Sequence, residues 1–354
     1  MRYYFFMQFK KNLPLIILLL TCSIIALLAI ILLRPSHPTT TVNAQSVATS
    51  TDPQYFSELD GSAVDNAVLE SPQTVGVMVD NHPDARPQSG LSKAEVVYEA
   101  PVEGSYTRYL AIYNANDAVS QIGPVRSARP YFLDWLREYG DTLYMHCGGS
   151  PEALDLIQAQ DIFDANEFYW GRFYWRNEDK TAPHNLFTKS DLWNSLLTNY
   201  GASRTTTEWK GWQFAENNIS VSTSTEPVKE IKIPFSADNQ VVWKYNANAG
   251  NYERWLNGAQ VLDSDKTPIT AKNVLVQYIL VKVIDDDGRL KLSTVGSGDA
   301  KILINGEMIR GKWEKDSATA RTTFYDQNNQ EVMLAPGHTW VEVVPNNTVL
   351  EVTN

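Results

Sequence analysis

Two arginines and a serine lie close together in residues 123–130 (GPVRSARP). Because proline fixes φ and restricts the residue before it, Pro124 and Pro130 make this segment stiff. Arg126 and Arg129 therefore project from a fixed support, just before a segment with the apolar spacing of a helix. Guanidinium groups beside a helix N-terminus bind carboxylates and phosphates, so the pattern predicts an anion site. The alternative is that both arginines pair with acidic residues of the same domain.

Further polar residues lie at the ends of predicted strands and in the loops that follow them. Ligand clefts of layered α/β folds form at such ends, so we take these side chains as candidates for ligand binding. The candidates are Asp80, Asn81, Arg86, Gln88, Glu99, Glu103, Arg108, Arg126, Ser127, Arg129, His146, Ser150, His184 and Asn185.

Four of these candidates are also groups for acid–base catalysis. Glu99 and Glu103 flank Pro101, and a converging pair of carboxyl groups is the device that cleaves glycosidic bonds. His146 and His184 are the imidazole candidates for the same chemistry. The alternative is that one or both glutamates neutralise the nearby arginines.

Neither a thiol nucleophile nor a metal site has the spacing that its chemistry needs. Cys147 follows His146 directly, and adjacent residues of a strand point to opposite faces. The sequence therefore favours Cys147 as a small buried hydrophobic residue. His146 and His184 with Asp80 would offer metal ligands, but no HxH or HExxH spacing is present. We expect no metal and no cofactor.

The charge and the cysteines exclude several classes of protein. The chain has 41 acidic and 30 basic residues, a formal net charge of −11, and no long basic run. This balance argues against nucleic acid as a partner and against broad binding to an anionic membrane surface. The two cysteines are Cys22 and Cys147, and Cys22 lies in an apolar segment, so no disulfide framework is expected.

The N-terminal sequence has the features of a membrane anchor. Residues 13–33 are almost wholly apolar and long enough to span a bilayer, and Arg2, Lys10 and Lys11 precede them. The positive charges predict a cytoplasmic N-terminus, with the remaining chain outside the cytoplasmic membrane. We expect a single uncleaved helix in residues 1–34. A cleaved signal peptide is the alternative, although a small-residue cleavage site lies only far beyond the apolar segment.

The remaining sequence predicts a linker and two domains, of class α+β. Residues 35–73 are rich in Ser, Thr and Pro and predict a flexible tether. Residues 74–215 predict a layered α/β domain, and residues 226–354 a smaller, mainly antiparallel β domain. Hairpin signals at Asn305 and Gly306 support the second assignment. The predicted elements of the first domain are strands at 74–79, 95–102, 107–113 and 142–145, and helices at 130–139, 151–160 and 188–197.

Residues 168–176 (FYWGRFYWR) repeat Phe-Tyr-Trp, with an arginine after each copy. Such a loop is suited to stacking on sugar rings or to covering a cleft. The alternative is a loop that folds back over the domain core.

Several of these motifs together resemble the YerB-like (DUF3048) family of bacterial envelope proteins. The resemblance implies an extracytoplasmic protein with an α/β N-terminal part and a smaller β-rich C-terminal part, and it implies no reaction. Members are commonly lipoproteins, whereas apolar sequence continues past Cys22 here and Thr21 precedes it, so we expect a transmembrane anchor instead. The motifs that carry the resemblance are residues 75–81, 85–91, 95–99, 123–129, 146–150, 183–185, 311–313 and 336–340.

These observations predict a membrane-tethered, non-catalytic envelope protein. Its first domain would bind an anionic cell-wall component, such as a peptidoglycan stem carboxylate, or dock a cell-wall protein, through Arg86, Arg108, Arg126 and Arg129. The first alternative is an envelope hydrolase or transferase that acts on peptidoglycan or another glycan through glutamate and histidine groups. A purely structural protein, in which the polar motifs pair internally, is the third possibility.

Overall fold

The computed structural model describes residues 55–201, 209–215 and 225–354. Within these ranges no helix has both the length and the apolar character that crossing a bilayer requires. The predicted anchor in residues 1–34 lies outside the described residues, as does the first half of the predicted linker. The end of that linker, residues 55–73, contains a short antiparallel strand pair and the buried side chain of Leu59.

Strands dominate the described chain. The helices are α1 (Pro130–Leu136), α2 (Pro151–Ala159), α3 (Glu167–Trp170) and α4 (Ser190–Tyr200). Short 3-10 turns lie at Ala67–Leu69, Pro83–Ala85, Leu91–Lys93, Glu103–Ser105, Arg137–Tyr139 and Gly171–Phe173. The first strands are β1 (Tyr55–Phe56), β2 (Ala63–Val64), β3 (Thr74–Asp80), β4 (Val96–Pro101), β5 (Thr107–Asn114), β6 (Leu143–His146), β7 (Asp164–Asn166), β8 (Trp175–Arg176) and β9 (Leu186–Phe187).

The C-terminal part is built from strands alone in its described residues. Its first seven are β10 (Glu226–Pro227), β11 (Glu230–Ser236), β12 (Asn239–Asn246), β13 (Asn251–Leu256), β14 (Ala259–Gln260), β15 (Thr270–Ala271) and β16 (Asn273–Ile279). The others are β17 (Val281–Val283), β18 (Leu290–Leu292), β19 (Gly296–Ile304), β20 (Glu307–Lys315), β21 (Thr323–Asp326), β22 (Thr339–Pro345) and β23 (Glu351–Thr353).

The main sheet combines strands from both predicted domains. Its order is β10-β20-β19-β16-β22-β4-β5-β3-β6-β7, and β21 adds to β20. The two parts meet where β22 pairs in parallel with β4. A second, antiparallel sheet has the order β14-β13-β12-β11-β23, with β15 on β13. The predicted domain division near residues 216–225 stays a prediction, and the sheet itself runs through segments on both sides of it.

Side chains of the main sheet alternate between two cores. In β3, Val75, Val77 and Val79 pack in the core that also contains Trp193 of α4 and Trp243 of the second sheet. Residues at the intervening positions face α1, whose aromatic side chains fill the other core. At Gly76 a Cβ atom would lie 2.4 Å from Leu136 Cδ1, so α1 packs directly on the backbone of β3. Alternation thus decides which polar side chains of one strand can meet.

The local predictions agree well with these elements. The predicted helix at 130–139 is α1 followed by a 3-10 turn, and the predicted strand at 74–79 is β3. Asn305 and Gly306 connect β19 to β20, as the hairpin signal indicates. The chain is therefore mixed α/β with mostly strands.

A buried polar network joins the two sheets. Arg254 on β13 places Nη2 2.5 Å from Glu99 Oε2, and both side chains are almost wholly inaccessible to solvent. Glu342 lies directly beside Glu99 in the sheet and accepts a hydrogen bond from Trp243 Nε1 at 2.7 Å. Burial, and then the charge of Glu99, hold the pKa of Glu342 well above its usual value. The raised pKa favours the protonated form of Glu342, and Arg254 Nη1 also lies 3.8 Å from Glu342 Oε1.

We predict that Arg254→Met lowers the free energy of unfolding by about 3–5 kcal/mol, because it leaves the Glu99 carboxylate buried without its cation. Urea denaturation measures the loss. Arg310→Met is the matched control, because its bidentate pair with Glu226 is exposed and an exposed pair contributes little. Equal losses in the two variants would contradict a structural role for the buried pair. Adding Glu99→Gln to Arg254→Met is expected to restore part of the stability.

A second titratable group lies at the start of β4. Burial, and then the negative charges of Asp60 and Asp117, raise the pKa of Glu95 to about 9. His338 Nε2 is 3.9 Å from its carboxyl group. The folded protein therefore holds a proton on Glu95 that the unfolded chain, with a pKa near 4.5, releases. Stability from this group falls as the pH rises from about 4.5 to about 9.

We predict that Glu95→Gln removes this pH dependence. Relative to the unmodified protein, the variant is expected to gain at least about 1 kcal/mol at pH ~8.5 and clearly less at pH ~5. Urea denaturation at the two pH values measures the difference. The exposed Glu178 supplies the control substitution, Glu178→Gln, which is expected to show no such trend. A gain that is larger at the lower pH would refute the raised pKa.

Candidate functional site

A cavity of about 300 Å³ opens at the end of β3, on the side of the main sheet that faces α1. Val102, Tyr106 and Thr107 form part of its wall. We call it the arginine cavity, after the groups that dominate its lining. These charged and imidazole groups are Asp80, His82, Glu103, Arg108, Arg126, Arg129 and His184.

The stiff segment 123–130 enters the cavity beside β3. Val125 forms an antiparallel bridge with Val79, the Arg126 amide donates to the Met78 carbonyl at 2.8 Å, and the Asp80 amide donates to the Pro124 carbonyl at 2.9 Å. The segment thus lengthens the sheet next to β3. This backbone pairing fixes where the Arg126 side chain begins, and α1 starts directly after Arg129.

Asp80 is the central acceptor of the cavity. Its Oδ2 lies 2.7 Å from His184 Nδ1 and 3.2 Å from Arg126 Nε, and its Oδ1 accepts from the His82 amide at 3.0 Å. Burial acts to raise the pKa of Asp80. The His82 amide, Arg108, His184 and Arg126 outweigh burial and lower that pKa below its usual value. Asp80 is therefore a buried carboxylate at neutral pH.

Arg108 is a buried cation that is short of negative charge. It stands opposite Asp80 in the β3–β5 register, only 6% of the residue is exposed, and Nη1 donates to the Ser127 carbonyl at 2.6 Å. Its Nε has no hydrogen-bond partner, and within the described ranges no carboxylate forms an ion pair with it. Burial, and then the charge of Arg129, lower the pKa of Arg108 to about 10, although Asp80 opposes the shift. An anion placed here would gain a strong partner.

The other two guanidiniums have internal partners. Arg129 forms a bidentate pair with Glu103, with Nε to Oε1 at 2.7 Å and Nη2 to Oε2 at 2.8 Å. Burial raises the pKa of Glu103, but the hydrogen bond and charge of Arg129 lower it overall. Arg126 pairs with Asp80. Internal pairing, which the sequence left open as an alternative, thus applies to both arginines of segment 123–130.

Two imidazoles complete the polar lining, with different hydrogen-bond roles at Nδ1. His184 Nδ1 faces the Asp80 carboxylate, so this nitrogen carries a hydrogen. His82 Nδ1 accepts from the Asp84 amide at 3.2 Å and lies 3.6 Å from Asp84 Oδ2. The rings are stacked, with centroids 4.5 Å apart and planes at 15°. The two stacked rings therefore have different partners at Nδ1, a carboxylate for His184 and a backbone amide for His82.

A metal site at these histidines has unfavourable geometry. Of the described residues, His82, Asp84 and His184 form the one group of potential ligands, with donor atoms within 4.8 Å of one another. Imidazole lone pairs lie in the ring plane, and nearly parallel rings direct them alongside each other instead of toward one point. Arg108 and Arg126 also repel a cation here. The lining fits an anion better.

The candidates from the sequence divide into two sets. Asp80, Glu103, Arg108, Arg126, Arg129 and His184 line the arginine cavity. His82 and Tyr106 also line it and were not among the candidates. The signal for His82 was present, since it follows the strand-end residues Asp80 and Asn81 directly.

Other candidates lie away from the cavity because of strand alternation. Glu99 projects to the opposite face of the sheet from Arg108 and is wholly buried with Arg254. Asn81 donates to Glu99 Oε1 at 3.1 Å and belongs to that buried network. Glu99 and Glu103 therefore do not converge as an acid–base pair.

The remaining candidates hold loops in place. Arg86 donates to the Asn81 side chain and carbonyl, and Gln88 donates to the Asp80 carbonyl. The Ser127 carbonyl accepts a hydrogen bond from Arg108, and the Ser150 side chain caps the N-terminus of α2.

His146 and Asn185 are structural as well. His146 is buried, with Nδ1 2.7 Å from the Gly148 carbonyl and Nε2 2.7 Å from Asp164 Oδ1. Asn185 Oδ1 accepts from Arg176 at 3.0 Å. Cys147 is half-buried, and burial followed by the charge of Glu167 raises the pKa of its thiol, which disfavours the nucleophilic thiolate.

Some residues of the aromatic repeat are buried in the core, and others are exposed. Phe173 and Tyr174 are buried in the core, as a loop folded over the domain would have them, whereas Phe168 and Tyr169 are 72% and 82% exposed. Arg172 stacks on the rings of the repeat and of Tyr200. None of these residues lines the arginine cavity.

Known protein families and relatives match most of this chain. The family described as "Protein of unknown function (DUF3048) N-terminal domain" matches residues 59–203, and the corresponding C-terminal domain matches residues 231–341. The chain is 30% identical over 299 residues to "Putative lipoprotein YerB" of Bacillus subtilis (strain 168). The aligned region covers 81% of this chain and 85% of the relative.

A crystal structure of the YerB protein from Bacillus subtilis is similar to this one with a TM-score of 0.75. The two chains are 28% identical, and the match covers 85% of this chain and 100% of the other. These findings confirm the resemblance that the sequence motifs carry. The chain therefore belongs to the YerB-like DUF3048 family, whose described function is unknown.

Proposed function

We propose that this protein is a membrane-anchored, extracytoplasmic envelope protein that binds a small anionic group in the arginine cavity. The location is supported by the YerB relative, whose name describes a lipoprotein, and by the apolar, positively flanked segment at residues 13–33. The bound group would be a carboxylate or a phosphate of an envelope component. A peptidoglycan stem carboxylate and an acidic side chain of a cell-wall protein are both of this class.

The observation that carries the proposal is the buried guanidinium of Arg108. Three guanidiniums line the cavity, but only two carboxylates, Asp80 and Glu103, do so. One positive charge is left over in a site where solvent screening is weak. Taking an ion out of water without a partner costs several kcal/mol, so a bound anion would relieve that cost.

The proposed site contains three of the four arginines that the sequence predicted. Arg86 is engaged with Asn81 and does not line the cavity. Arg126 pairs with Asp80, and Arg129 is engaged by Glu103 and by the Ala128 carbonyl. Arg108 therefore supplies the net charge.

The alternative of a glycan hydrolase or transferase has less support. Of its four groups, Glu103 and His184 line the cavity, and Glu103 is held in a bidentate pair by Arg129. Glu99 and His146 are buried elsewhere. A glycosidase-type pair of carboxyl groups is therefore not assembled here.

We predict that Arg108→Met weakens binding of inorganic phosphate and of acetate at least about tenfold, because a charge-assisted contact is worth roughly 1.5–3 kcal/mol. Isothermal titration calorimetry on the full-length chain in detergent measures the affinity. Arg172→Met, which removes an exposed guanidinium outside the cavity, is the control. It should leave the affinity unchanged.

The same variant distinguishes binding from a purely structural role. If Arg108 serves a ligand, its removal relieves an uncompensated buried charge, and the ligand-free protein should keep or gain thermal stability. If Arg108 is an internal staple, stability should fall by a few kcal/mol and anion affinity should not change separately. Equal affinity in Arg108→Met and the unmodified protein would overturn the proposed anion site.

A further inference from the structure

Resting on the proposed anion site, we infer that the arginine cavity binds a sugar that carries a carboxylate. The carboxylate pairs with Arg108, and the sugar ring lies against Tyr106 at the mouth of the cavity. The inference combines the position of Tyr106 beside Arg108, the volume of the cavity, and the polarity and charge of its lining.

Tyr106 and Arg108 lie on the same side of one extended segment. Arg108 is on β5, and Tyr106, one residue before that strand begins, also has extended backbone angles. Side chains two residues apart in an extended segment point to the same face, and their Cα atoms are roughly 7 Å apart. Both residues line the cavity. A group that pairs with the guanidinium therefore places the atoms bonded to it within reach of the tyrosine ring.

The ring of Tyr106 is held in position and is still partly exposed. A Cβ atom at Gly104, where φ is +72°, would lie 3.2 Å from Cδ2 and Cε2 of Tyr106, so the turn backbone packs directly on the ring. The ring centroids of Tyr106 and His82 are 4.6 Å apart, with planes at 59°. Even so, 38% of Tyr106 is exposed. A partly exposed ring in a fixed position offers a surface on which the C–H groups of a sugar ring can pack.

The cavity is larger than a single anionic group. Its volume of about 300 Å³ is at the lower end of the ~300–1,000 Å³ that is typical of sites for small organic molecules. A carboxylate or a phosphate alone fills only a small part of this space. A ligand that fills the cavity therefore carries its anionic group on a larger unit, of about the size of one sugar ring.

The lining favours a unit rich in hydroxyl groups over a flat apolar ring. Among the described residues that line the cavity, Val102 is the one aliphatic side chain, and Tyr106 is the one phenol. The other lining side chains carry carboxylate, guanidinium, imidazole or hydroxyl groups. Polar groups that lose water without gaining a hydrogen bond cost free energy, and the hydroxyl groups of a sugar can replace that water.

The charge of the cavity fits a group with one negative charge. Three guanidiniums and two carboxylates line it, which leaves one positive charge when the imidazoles are neutral. A carboxylate carries one negative charge and can accept from a guanidinium through both oxygens, whereas a phosphate monoester carries nearly two charges at neutral pH. A phosphodiester has the right charge but carries two substituents, and a cavity of this volume has room for one.

The first experiment compares probes by isothermal titration calorimetry on the full-length chain in detergent. Methyl glucuronide carries a carboxylate on a sugar ring, acetate is the carboxylate without the ring, and methyl glucoside is the ring without the charge. We expect methyl glucuronide to bind about tenfold more tightly than acetate, because of the ring contact, and methyl glucoside to show no measurable binding. Benzoate and dimethyl phosphate represent a flat aromatic acid and a phosphodiester, and both should bind more weakly than methyl glucuronide.

The second experiment removes the tyrosine ring. Tyr106→Leu should lower the affinity for methyl glucuronide to about that for acetate, and it should leave the affinity for acetate unchanged. Tyr106→Phe keeps the ring and should keep most of the affinity for methyl glucuronide. Tyr169→Leu is the matched control, because Tyr169 is 82% exposed and lies outside the cavity lining.

The outcomes separate this inference from the proposed function. The sugar acid is overturned, and the anion site remains, if methyl glucuronide binds no more tightly than acetate or more weakly than benzoate or dimethyl phosphate. Unchanged affinity for methyl glucuronide in Tyr106→Leu, or an equal loss for acetate, overturns the ring contact. Absence of binding by every probe, or equal binding of methyl glucoside and methyl glucuronide, overturns both proposals. Tighter binding of methyl glucuronide that depends on Tyr106, with acetate binding retained, supports both.

Discussion

The buried carboxylate of Asp80 is the interaction on which the arginine cavity depends. It lies at the last position of β3, where it holds the His82 amide, the His184 ring and the Arg126 guanidinium at once. These groups come from three separate segments, so one carboxylate fixes the relative positions of three loops. Because the same contacts lower its pKa, Asp80 keeps its charge and continues to hold them at neutral pH.

Alternation along the strands explains why Asp80 and Glu99 belong to separate polar clusters. Asp80 and Arg108 face α1, and the cavity opens on their side. Glu99 faces the second sheet, where Arg254 covers it completely. The sheet thus separates a closed ion pair, which joins the two sheets, from an open cluster with excess positive charge. A closed pair stabilises the fold, whereas an open cluster is free to bind.

Local signals in the sequence predicted most helices and strands. They could not predict which strands pair when the strands are far apart in the chain. Proline and serine at the start of α2, and Asn305 and Gly306 between β19 and β20, act within a few residues and could be read directly. The parallel pairing of β22 with β4 joins segments that are far apart in the chain. The sequence of neither strand indicates which strand it pairs with. For the same reason Glu99 appeared to be a catalytic candidate, because its partner Arg254 lies 155 residues away.

The site shows a similar division. Segment 123–130 lines the arginine cavity, but both of its arginines have carboxylate partners. Arg108 on β5 is the lining arginine for which the described ranges hold no ion-pair partner. The sequence does not distinguish Arg108 from any other arginine in a strand. It lacks an ion-pair partner because of the groups that surround it in the folded protein. Folding alone gives no reason to bury that cation beside a cavity. The anionic ligand proposed for the cavity would give that cation a partner.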